Sequence, residues 1–522
     1  MAGPGTTPVR KYLCLVFGTF GAWALSRCST AAPDRTLQYA LSQDPRSLDP
    51  ALSTDVPTGE MVTLLYDNLV QQSVEGTVVP GLARHWTIDS TGSQYVFTLR
   101  SGVKFHDGAT LTAATVRSSI LRALAPGSSG GRGWPLYPIQ GAREYAAGAT
   151  HDVSGITTPD DSTVVMKLEE PLNIFLTLLA MPVAAIVPAT AGAELGEHPV
   201  GTGPWRFVSW SHDDALIFAA NADYWGTRPR SDSLRVRIIP EELTQAAEYE
   251  SRRLNVVEVP FGETARWEVT HAAELQRRPA LRALYVAINT RRGPLADPRV
   301  RRALNLAVDR DAILRNVAGG RGVLAAGTIP PGLAGHDSTR RPYPFDPEAA
   351  KRLLAEAGHA TLTIQLWRSS RPIYARIAQS IQQDLASAGV TVEIVERDAA
   401  SARAAARNGE ADLFLTDWYG DYPDPENFTY PLLHSRNPGA AGNLAFLRDA
   451  GLDTLILRAR ATPDTALKSR LMLEIDRRAF EMAPWIFFWF PVDLWAMRSD
   501  VEGWRIPAVF NGQRWLEARV RP

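Results

Sequence analysis

The second half of the chain alternates strand-like and helix-like segments, and this alternation is the strongest constraint on its fold. Residues 285–290 read as a strand, and Asp297 and Pro298 then form the N-cap and first-turn pair of a helix. Apolar residues four positions apart at 373–385 mark another helix, and a strand follows at 390–395. Strands and helices in this order predict an α/β lobe with a largely parallel sheet.

An acid-rich stretch at 411–428 follows a further strand of this lobe. An apolar segment at 413–415 predicts a short strand, and the residues after it place four acids among Trp, Tyr and Pro: Asp417, Asp421, Asp424 and Glu426. In α/β lobes, ligands bind at the carboxyl ends of strands, so this composition predicts a pocket for a cation. The alternative is ordinary turn chemistry, in which Asp side chains accept hydrogen bonds from nearby N–H groups and Pro fixes φ.

Composition and charge narrow the class of protein. A length of 522 residues predicts two or three lobes with ample buried core. The chain has 55 Lys and Arg against 56 Asp and Glu, a formal net charge of −1, so it lacks the basic excess of a nucleic-acid-binding protein. The nine His residues include no pair at metal-ligand spacing such as H-x-x-x-H, so neither a metal site nor a cofactor is predicted.

Residues 1–28 have the pattern of a secretory signal. Arg10 and Lys11 precede an apolar run at 12–25, which is short for a membrane-spanning helix. The end of this run resembles the lipobox of bacterial lipoproteins, with Cys28 as the residue that would be lipidated, although Arg27 stands where that pattern has a small residue. We therefore predict an exported protein. Its mature body would hold no internal disulfide, because the only two cysteines lie within 1–28.

Several stretches, read together, resemble one family: the periplasmic substrate-binding proteins of bacterial peptide-type transporters, known as solute-binding family 5. They occur in the family's order and cover nearly all of residues 34–500. The matching stretches are SLDP at 47–50, LYDNLV at 65–70, PGLARHW at 80–86, YVFTLRSGVKFHDGATLTAATV at 95–116, VGTGPWRFVSW at 200–210, NADYW at 221–225, INTRRGPLADPRVRRALNLAVDRDAI at 288–313, FDPEAAKRLLAEAG at 345–358 and WYGDYPDPENF at 418–428.

The resemblance implies an α/β fold of the bilobed periplasmic-binding-protein type, with mixed sheets, two hinged lobes and an inserted third domain. Lobe I would be built from 34–52, 200–279 and 484–522. The inserted domain would comprise 53–199, and lobe II would comprise 280–483. In the family, the ligand is enclosed between the two lobes when they close about the hinge.

The resemblance also implies a ligand site. In the dipeptide and oligopeptide binders, an Asp in the loop after a strand of lobe II takes the ligand's α-ammonium, and the matching residue is Asp421. In the dipeptide branch an upstream Arg takes the ligand's carboxylate, and the match is Arg371. Trp418 and Tyr419 would wall the pocket. The protein would act as a monomer, without enzymatic activity, on the extracytoplasmic face of the cell membrane, and would deliver peptides to an ATP-binding-cassette permease.

Two other readings remain open at the level of sequence. The same fold could bind a nickel chelate, haem, a sugar or an opine-like compound, because a fold does not determine its ligand. A secreted hydrolase could instead use paired carboxylates such as Asp417 and Asp421. No nucleophile or metal motif in the sequence supports the hydrolase.

Overall fold

The computed structural model describes residues 35–53, 55–127 and 133–521, so the predicted export signal and Cys28 lie outside the described part of the chain. Its strands are β1 Thr36–Leu41, β2 Val70–Gln72, β3 Val78–Pro80, β4 Ala83–Ile88, β5 Gln94–Leu99, β6 Ile156–Asp160, β7 Thr163–Lys167, β8 Trp205–Ser211, β9 Ala215–Ala220, β10 Ser233–Ile238, β11 Val256–Glu258, β12 Leu275–Pro279, β13 Arg282–Ile288, β14 Gly322–Leu324, β15 Leu362–Ser369, β16 Val390–Arg397, β17 Leu413–Tyr419, β18 Trp485–Met497, β19 Val501–Glu502 and β20 Arg519–Val520. Its helices are α1 Val56–Leu65, α2 Ala113–Leu124, α3 Ala142–Ala146, α4 Phe175–Leu179, α5 Glu242–Glu250, α6 Thr264–Thr270, α7 Pro298–Leu306, α8 Arg310–Val317, α9 Pro347–Glu356, α10 Pro372–Ser387, α11 Ala399–Asn408, α12 Glu426–Leu433, α13 Ala450–Ala461 and α14 Thr465–Met482.

Local signals in the sequence define the elements of the second half. Asp297 caps α7 by accepting a hydrogen bond from the backbone N–H of Arg299, with Pro298 in the first turn. Helix α10 spans the predicted apolar period and is followed by Gly389, whose φ of +85° suits glycine. The predicted strand, helices and following strand are therefore confirmed as β13, α7, α10 and β16. None of the described helices is long and apolar enough to cross a membrane.

The prediction of a largely parallel sheet is wrong. The eight-stranded sheet has the order β11-β18-β13-β17-β15-β16, with β12 and β14 also paired to β18. Strand β15 pairs with β16 and with β17 in parallel, whereas β13 pairs with β17 and with β18 in the antiparallel sense. Alternation along the chain predicts that helices separate strands, but it does not determine which strands become neighbours.

The long strand β18 connects the two halves of this sheet. The first part of β18 pairs with β13 and β14, and the second part pairs with β11 and β12. Its first six residues, 485–490, are buried because both faces are covered, which gives a continuous apolar run rather than an alternating one. Separate four-stranded sheets, β1-β10-β9-β8 and β4-β5-β7-β6, have their own apolar cores.

A buried ion pair joins segments that are far apart in the sequence. Asp67 is fully buried, and its Oδ1 accepts a hydrogen bond from Nη2 of Arg514 at 2.7 Å. Its Oδ2 accepts hydrogen bonds from Oγ1 of Thr202 at 2.9 Å and from Nε1 of Trp225 at 2.7 Å. The hydroxyl of Tyr224 donates to Oδ1 at 3.1 Å. The stretches LYDNLV, VGTGPW and NADYW, which lie far apart in the sequence, therefore meet at one carboxylate.

Replacing Asp67 by Asn should destabilise the fold strongly. The change leaves the buried guanidinium of Arg514 without its counter-charge, and breaking a buried pair in this way costs about 3–5 kcal/mol. Urea unfolding of the two proteins measures the loss. The control is Asp223→Asn, because the side chain of Asp223 is 80% exposed and lies 3.4 Å from Arg206. That variant should change stability by no more than about 0.5 kcal/mol, and equal effects of the two substitutions would contradict the assignment.

Candidate functional site

The last residues of strand β17 carry the first part of the site. The sequence predicts a strand at 413–415, but β17 continues to Tyr419, because it pairs with β13 along its whole length. Asp417, Trp418 and Tyr419 therefore belong to the strand and not to the loop after it, which corrects the prediction. Side chains alternate along a strand, so Asp417 and Tyr419 lie on one face and Trp418 lies on the other.

Asp417 lies between two arginines. Its Oδ2 accepts hydrogen bonds from Arg282, with Nε at 2.6 Å and Nη2 at 2.5 Å. Its Oδ1 accepts a hydrogen bond from the hydroxyl of Tyr374 at 2.7 Å and lies 3.6 Å from Nη1 of Arg371. Burial acts to raise the pKa of Asp417, but Arg282, Tyr374 and Arg371 outweigh burial and hold that pKa below its ordinary value. Asp417 is therefore held as a carboxylate.

Arg371 lies at the same edge of the sheet as Asp417. Strand β15 ends at Ser369 and runs parallel to β17, so the carboxyl ends of both strands meet at one edge, and Arg371 immediately precedes α10. Its side chain is 55% exposed, and its guanidinium carbon lies 5.5 Å from the ring centre of Tyr374. Asp417 and Tyr374 thus contact one side of the guanidinium while the rest remains open to solvent.

Asp421 follows β17 in the loop 420–425 and lines a small cavity. The N–H of Gly420 donates to the carbonyl of Leu281 at 2.7 Å, which fixes the chain where it leaves the strand. Asp421 itself is exposed, and the cavity beside it has a volume of about 110 Å³. Trp134 and Met181, from distant parts of the sequence, also line this cavity.

The two predicted aromatic residues differ in their contacts. Trp418 is partly buried in the core beneath the sheet, and its Nε1 donates to Oδ1 of Asn427 at 2.7 Å. Tyr419 is 47% exposed, and the guanidinium of Arg282 lies 6.0 Å from the centre of its ring. The surroundings of Trp418 are those of a side chain that anchors helix α12, whereas Tyr419 presents its ring on the face that carries Asp417.

Two of the acids that follow residues 413–415, Asp424 and Glu426, bind partners that hold the loop in place. Asp424 accepts a hydrogen bond from Nζ of Lys468 at 2.6 Å, and the same ammonium donates to Oδ1 of Asn173 at 3.1 Å. Glu426 is buried in the first turn of α12 and forms an ion pair with Arg460 at 2.6 Å. The turn-chemistry alternative therefore describes Asp424 well, because its Oδ1 also accepts the N–H of Glu426.

The segment around Asn173 contacts the helices next to this loop. Its Nδ2 donates to the carbonyls of Ala459 at 2.7 Å and Thr462 at 2.9 Å, at the end of helix α13. Its backbone N–H donates to the carbonyl of Arg460 at 3.0 Å. Together with Lys468, these contacts fix the loop that carries Asp421 against a segment almost 250 residues earlier in the chain.

Sequence reasoning missed Arg282, Tyr374 and the cavity-lining residues. Arg282 opens β13, and only the pairing of β13 with β17 brings it beside Asp417. Tyr374 lies three residues after Arg371, and this spacing puts both residues on one face of a helix turn. The sequence therefore contained a signal that Tyr374 would lie beside Arg371. Among the described residues, no group of three or more His, Cys, Asp or Glu could hold a metal ion.

Replacing Asp417 by Asn should lower the free energy of unfolding by about 1–3 kcal/mol at pH 7, because Arg282 loses its counter-charge. The folded-state pKa of Asp417 is depressed, so its contribution is complete above the unfolded-state pKa of about 3.9 and is lost as pH falls through the lower folded-state value. The difference from wild type should therefore be largest at neutral pH and shrink below about pH 4.

Urea unfolding at several pH values measures this difference. The matched control is Asp161→Asn, an exposed turn residue, for which the difference should stay near zero throughout. A cost of Asp417→Asn that does not change with pH would contradict the charge-pair explanation.

Three comparisons place the chain among known proteins. A family model described as "Bacterial extracellular solute-binding proteins, family 5 Middle" matches residues 77–440. The chain is 32% identical over 519 residues to the "Di/tripeptide-binding protein 2" of Pseudomonas aeruginosa, covering 93% of this chain and 95% of that protein. It is 30% identical over 486 residues to the "Heme-binding protein A" of Haemophilus influenzae, covering 87% of each.

Among solved structures, the chain is similar to the periplasmic binding protein DppA of Helicobacter pylori, which was solved in complex with the peptide STSA. The TM-score is 0.76 at 26% identity, covering 93% of this chain and 98% of that one. The match supports the bilobed α/β fold. Relatives of nearly equal identity carry names that refer to different ligands, so similarity alone does not choose the ligand. The chain belongs to the bacterial extracellular solute-binding proteins of family 5.

Proposed function

We propose that this protein is an extracytoplasmic receptor that captures short peptides and delivers them to an ATP-binding-cassette permease. The observation that supports this proposal best is the position of two opposite charges at one sheet edge. Arg371 follows β15, Asp421 follows β17, and these strands are parallel neighbours. Both side chains are exposed to solvent. A peptide with free termini carries the two complementary charges.

The energetics favour such a pair for a zwitterionic ligand. A peptide that enters a closed cleft loses the hydration of both its ends, which costs several kcal/mol per ion unless each end meets an opposite charge with good hydrogen bonds. Asp421 would bind the ammonium, and the planar fork of Arg371 would bind the carboxylate with two parallel hydrogen bonds. Two charges at a fixed separation would also select ligand length, and a pair that binds both ends of the ligand would favour dipeptides.

The neighbouring residues take supporting roles in this proposal. Asp417 and Tyr374 contact Arg371 and would restrict its side-chain orientation before the ligand arrives, which lowers the entropic cost of binding. Tyr419 would form a wall of the cleft, as the sequence predicted. Trp418 would act through α12 and the position of the loop, because its indole N–H is bonded to Asn427.

The same proposal covers the organisation of the whole chain. The lobes would follow the predicted boundaries, with 53–199 as the inserted domain, except that the first part of β18 would belong to lobe II, because it pairs with β13 and β14. β18 would carry the hinge, because its second part pairs with β11 and β12 of lobe I. Residues 1–28 would direct export, with Cys28 as the candidate lipid attachment site. The protein would bind its ligand as a monomer and without chemical conversion.

Titration calorimetry with purified protein, stripped of bound ligand by unfolding and refolding, tests the proposal. Wild type should bind a mixed dipeptide set with micromolar or tighter affinity. Asp421→Asn and Arg371→Ala should each weaken binding at least about 30-fold, because each leaves one ligand charge buried without its partner. Arg376→Ala is the control, because Arg376 is an exposed residue of α10, the helix that Arg371 precedes. This variant should bind dipeptides as wild type does.

Other outcomes are equally informative. Binding of tri- to pentapeptides that survives Arg371→Ala would move the protein to the oligopeptide binders. No heat with any peptide, followed by binding of haem, a nickel chelate, a sugar or an opine-like compound, would overturn the peptide proposal and leave the family assignment intact.

A further inference from the structure

The loop 420–425 inserts a side chain into an apolar core that belongs to a much earlier part of the chain. Tyr422, the residue after Asp421, is buried, and the other buried members of its core all lie within 69–186. The ring of Tyr422 is tilted against that of Trp134, with ring centres 6.3 Å apart. The loop that carries Asp421 is therefore docked into the proposed inserted domain.

The next two residues of the loop, Pro423 and Asp424, are held from the same direction. Gly76, in the turn between β2 and β3, packs so closely against the loop that a Cβ at Gly76 would lie 3.0 Å from the Cβ of Pro423. Asp424 accepts a hydrogen bond from Nζ of Lys468, and the same ammonium donates to Oδ1 of Asn173. Three consecutive residues of the loop are thus held by the proposed inserted domain, directly or through one side chain.

Asn173 also supplies hydrogen-bond donors to the end of helix α13. The last carbonyls of a helix have no partner within it. Nδ2 of Asn173 donates to the carbonyls of Ala459 at 2.7 Å and Thr462 at 2.9 Å, which uses both hydrogens of the amide. The backbone N–H of Asn173 donates to the carbonyl of Arg460 at 3.0 Å. An asparagine of the proposed inserted domain therefore caps a helix of the proposed lobe II.

These contacts join two parts of the chain that would move relative to each other. The buried pair of Asp67 and Arg514 ties the proposed inserted domain to lobe I, so those two would move as one body. In the proposed function the ligand enters between this body and lobe II, so the two must separate whenever a ligand enters or leaves. Separation breaks every contact between them, including the burial of Tyr422 and the hydrogen bonds of Asn173.

We propose that the loop 420–425 and Asn173 form a latch, which is made when the lobes close on a ligand and is broken when they open. The proposal rests on the proposed function, because it assumes lobes that separate to admit a ligand. A ligand at Asp421 and the latch hold the same loop, so each favours the other. The latch contributes only in the closed state, so it slows release of the ligand and leaves capture nearly unchanged.

Hydrogen exchange, measured by mass spectrometry on overlapping peptides, tests the latch without any substitution. The Asn173 amide donates across the latch, whereas the Gly155 amide donates to the carbonyl of Gln140, within the proposed inserted domain, at 2.9 Å. In unliganded protein the protection factor at Asn173 should be at least about tenfold lower than at Gly155. A saturating mixed dipeptide set should raise protection at Asn173 at least about tenfold and leave Gly155 unchanged. Equal protection of both amides without ligand would mean that the contacts are permanent and would overturn the latch.

Dissociation kinetics of Asn173→Ala test the role of the side chain. The variant loses two donors and one acceptor of the latch, so dipeptides should leave about 10- to 50-fold faster, with the association rate changed less than about threefold. The Tm of the unliganded variant should stay within about 1 °C of wild type, because the latch is open there, while the Tm of the liganded variant falls. Asn316→Ala is the matched control, because Asn316 is an exposed asparagine of α8, and it should release dipeptides as wild type does.

The latch and the proposed function fail in different ways. If wild type binds no peptide, the proposed function fails, and the exchange of the unliganded protein still tests the latch. If peptides bind and depend on Asp421 and Arg371, but Asn173→Ala leaves their release unchanged, only the latch fails. An equal loss of Tm in the unliganded and the liganded variant would also overturn it, because Asn173 would then be a permanent structural tie.

Discussion

The buried ion pair between Asp67 and Arg514 is the interaction on which the rest of the structure depends most. A buried carboxylate is stable only when its charge and lone pairs are satisfied, and Asp67 meets this condition through donors from the middle and the end of the chain. The pair therefore fixes segments more than 440 residues apart in one arrangement. The same requirement explains why polar residues stand within otherwise apolar stretches such as LYDNLV.

The candidate site repeats this principle with one difference. Asp417 lies between Arg282 and Arg371, so its single charge faces two cations, and in the proposed function Arg371 would bind the ligand's carboxylate. On the loop after β17, Lys468 satisfies Asp424, and its second hydrogen bond, to Asn173, ties the loop to a distant segment. The charges that hold the loop are thus mutually satisfied within the protein. The side chains of Asp421 and Arg371 are exposed to solvent.

Much of the fold could be predicted because its signals are local. Asp297 and Pro298 mark the start of α7, and the apolar period at 373–385 marks α10, since both depend on residues within a few turns of the chain. The direction of β13 could not be predicted in this way. Its neighbours β17 and β18 lie more than 120 residues later, and no nearby residue encodes that pairing. The predicted β17 is too short for the same reason. Its apolar run ends before the last residues of the strand, and only the pairing with β13 keeps those residues in the sheet.

The sequence by itself determined the family, the order of most elements, and the residue types that a ligand site would use, because motifs and periodicity are carried by neighbouring residues. Only the tertiary structure decided what each of the four acids does. Asp417 became part of an arginine cluster, Asp424 and Glu426 became internal partners of Lys468 and Arg460, and Asp421 came to border a cavity. The physical reason is that the state of a carboxylate depends on the charges and the solvent within a few ångströms of it, and those are supplied by parts of the chain that only folding brings near.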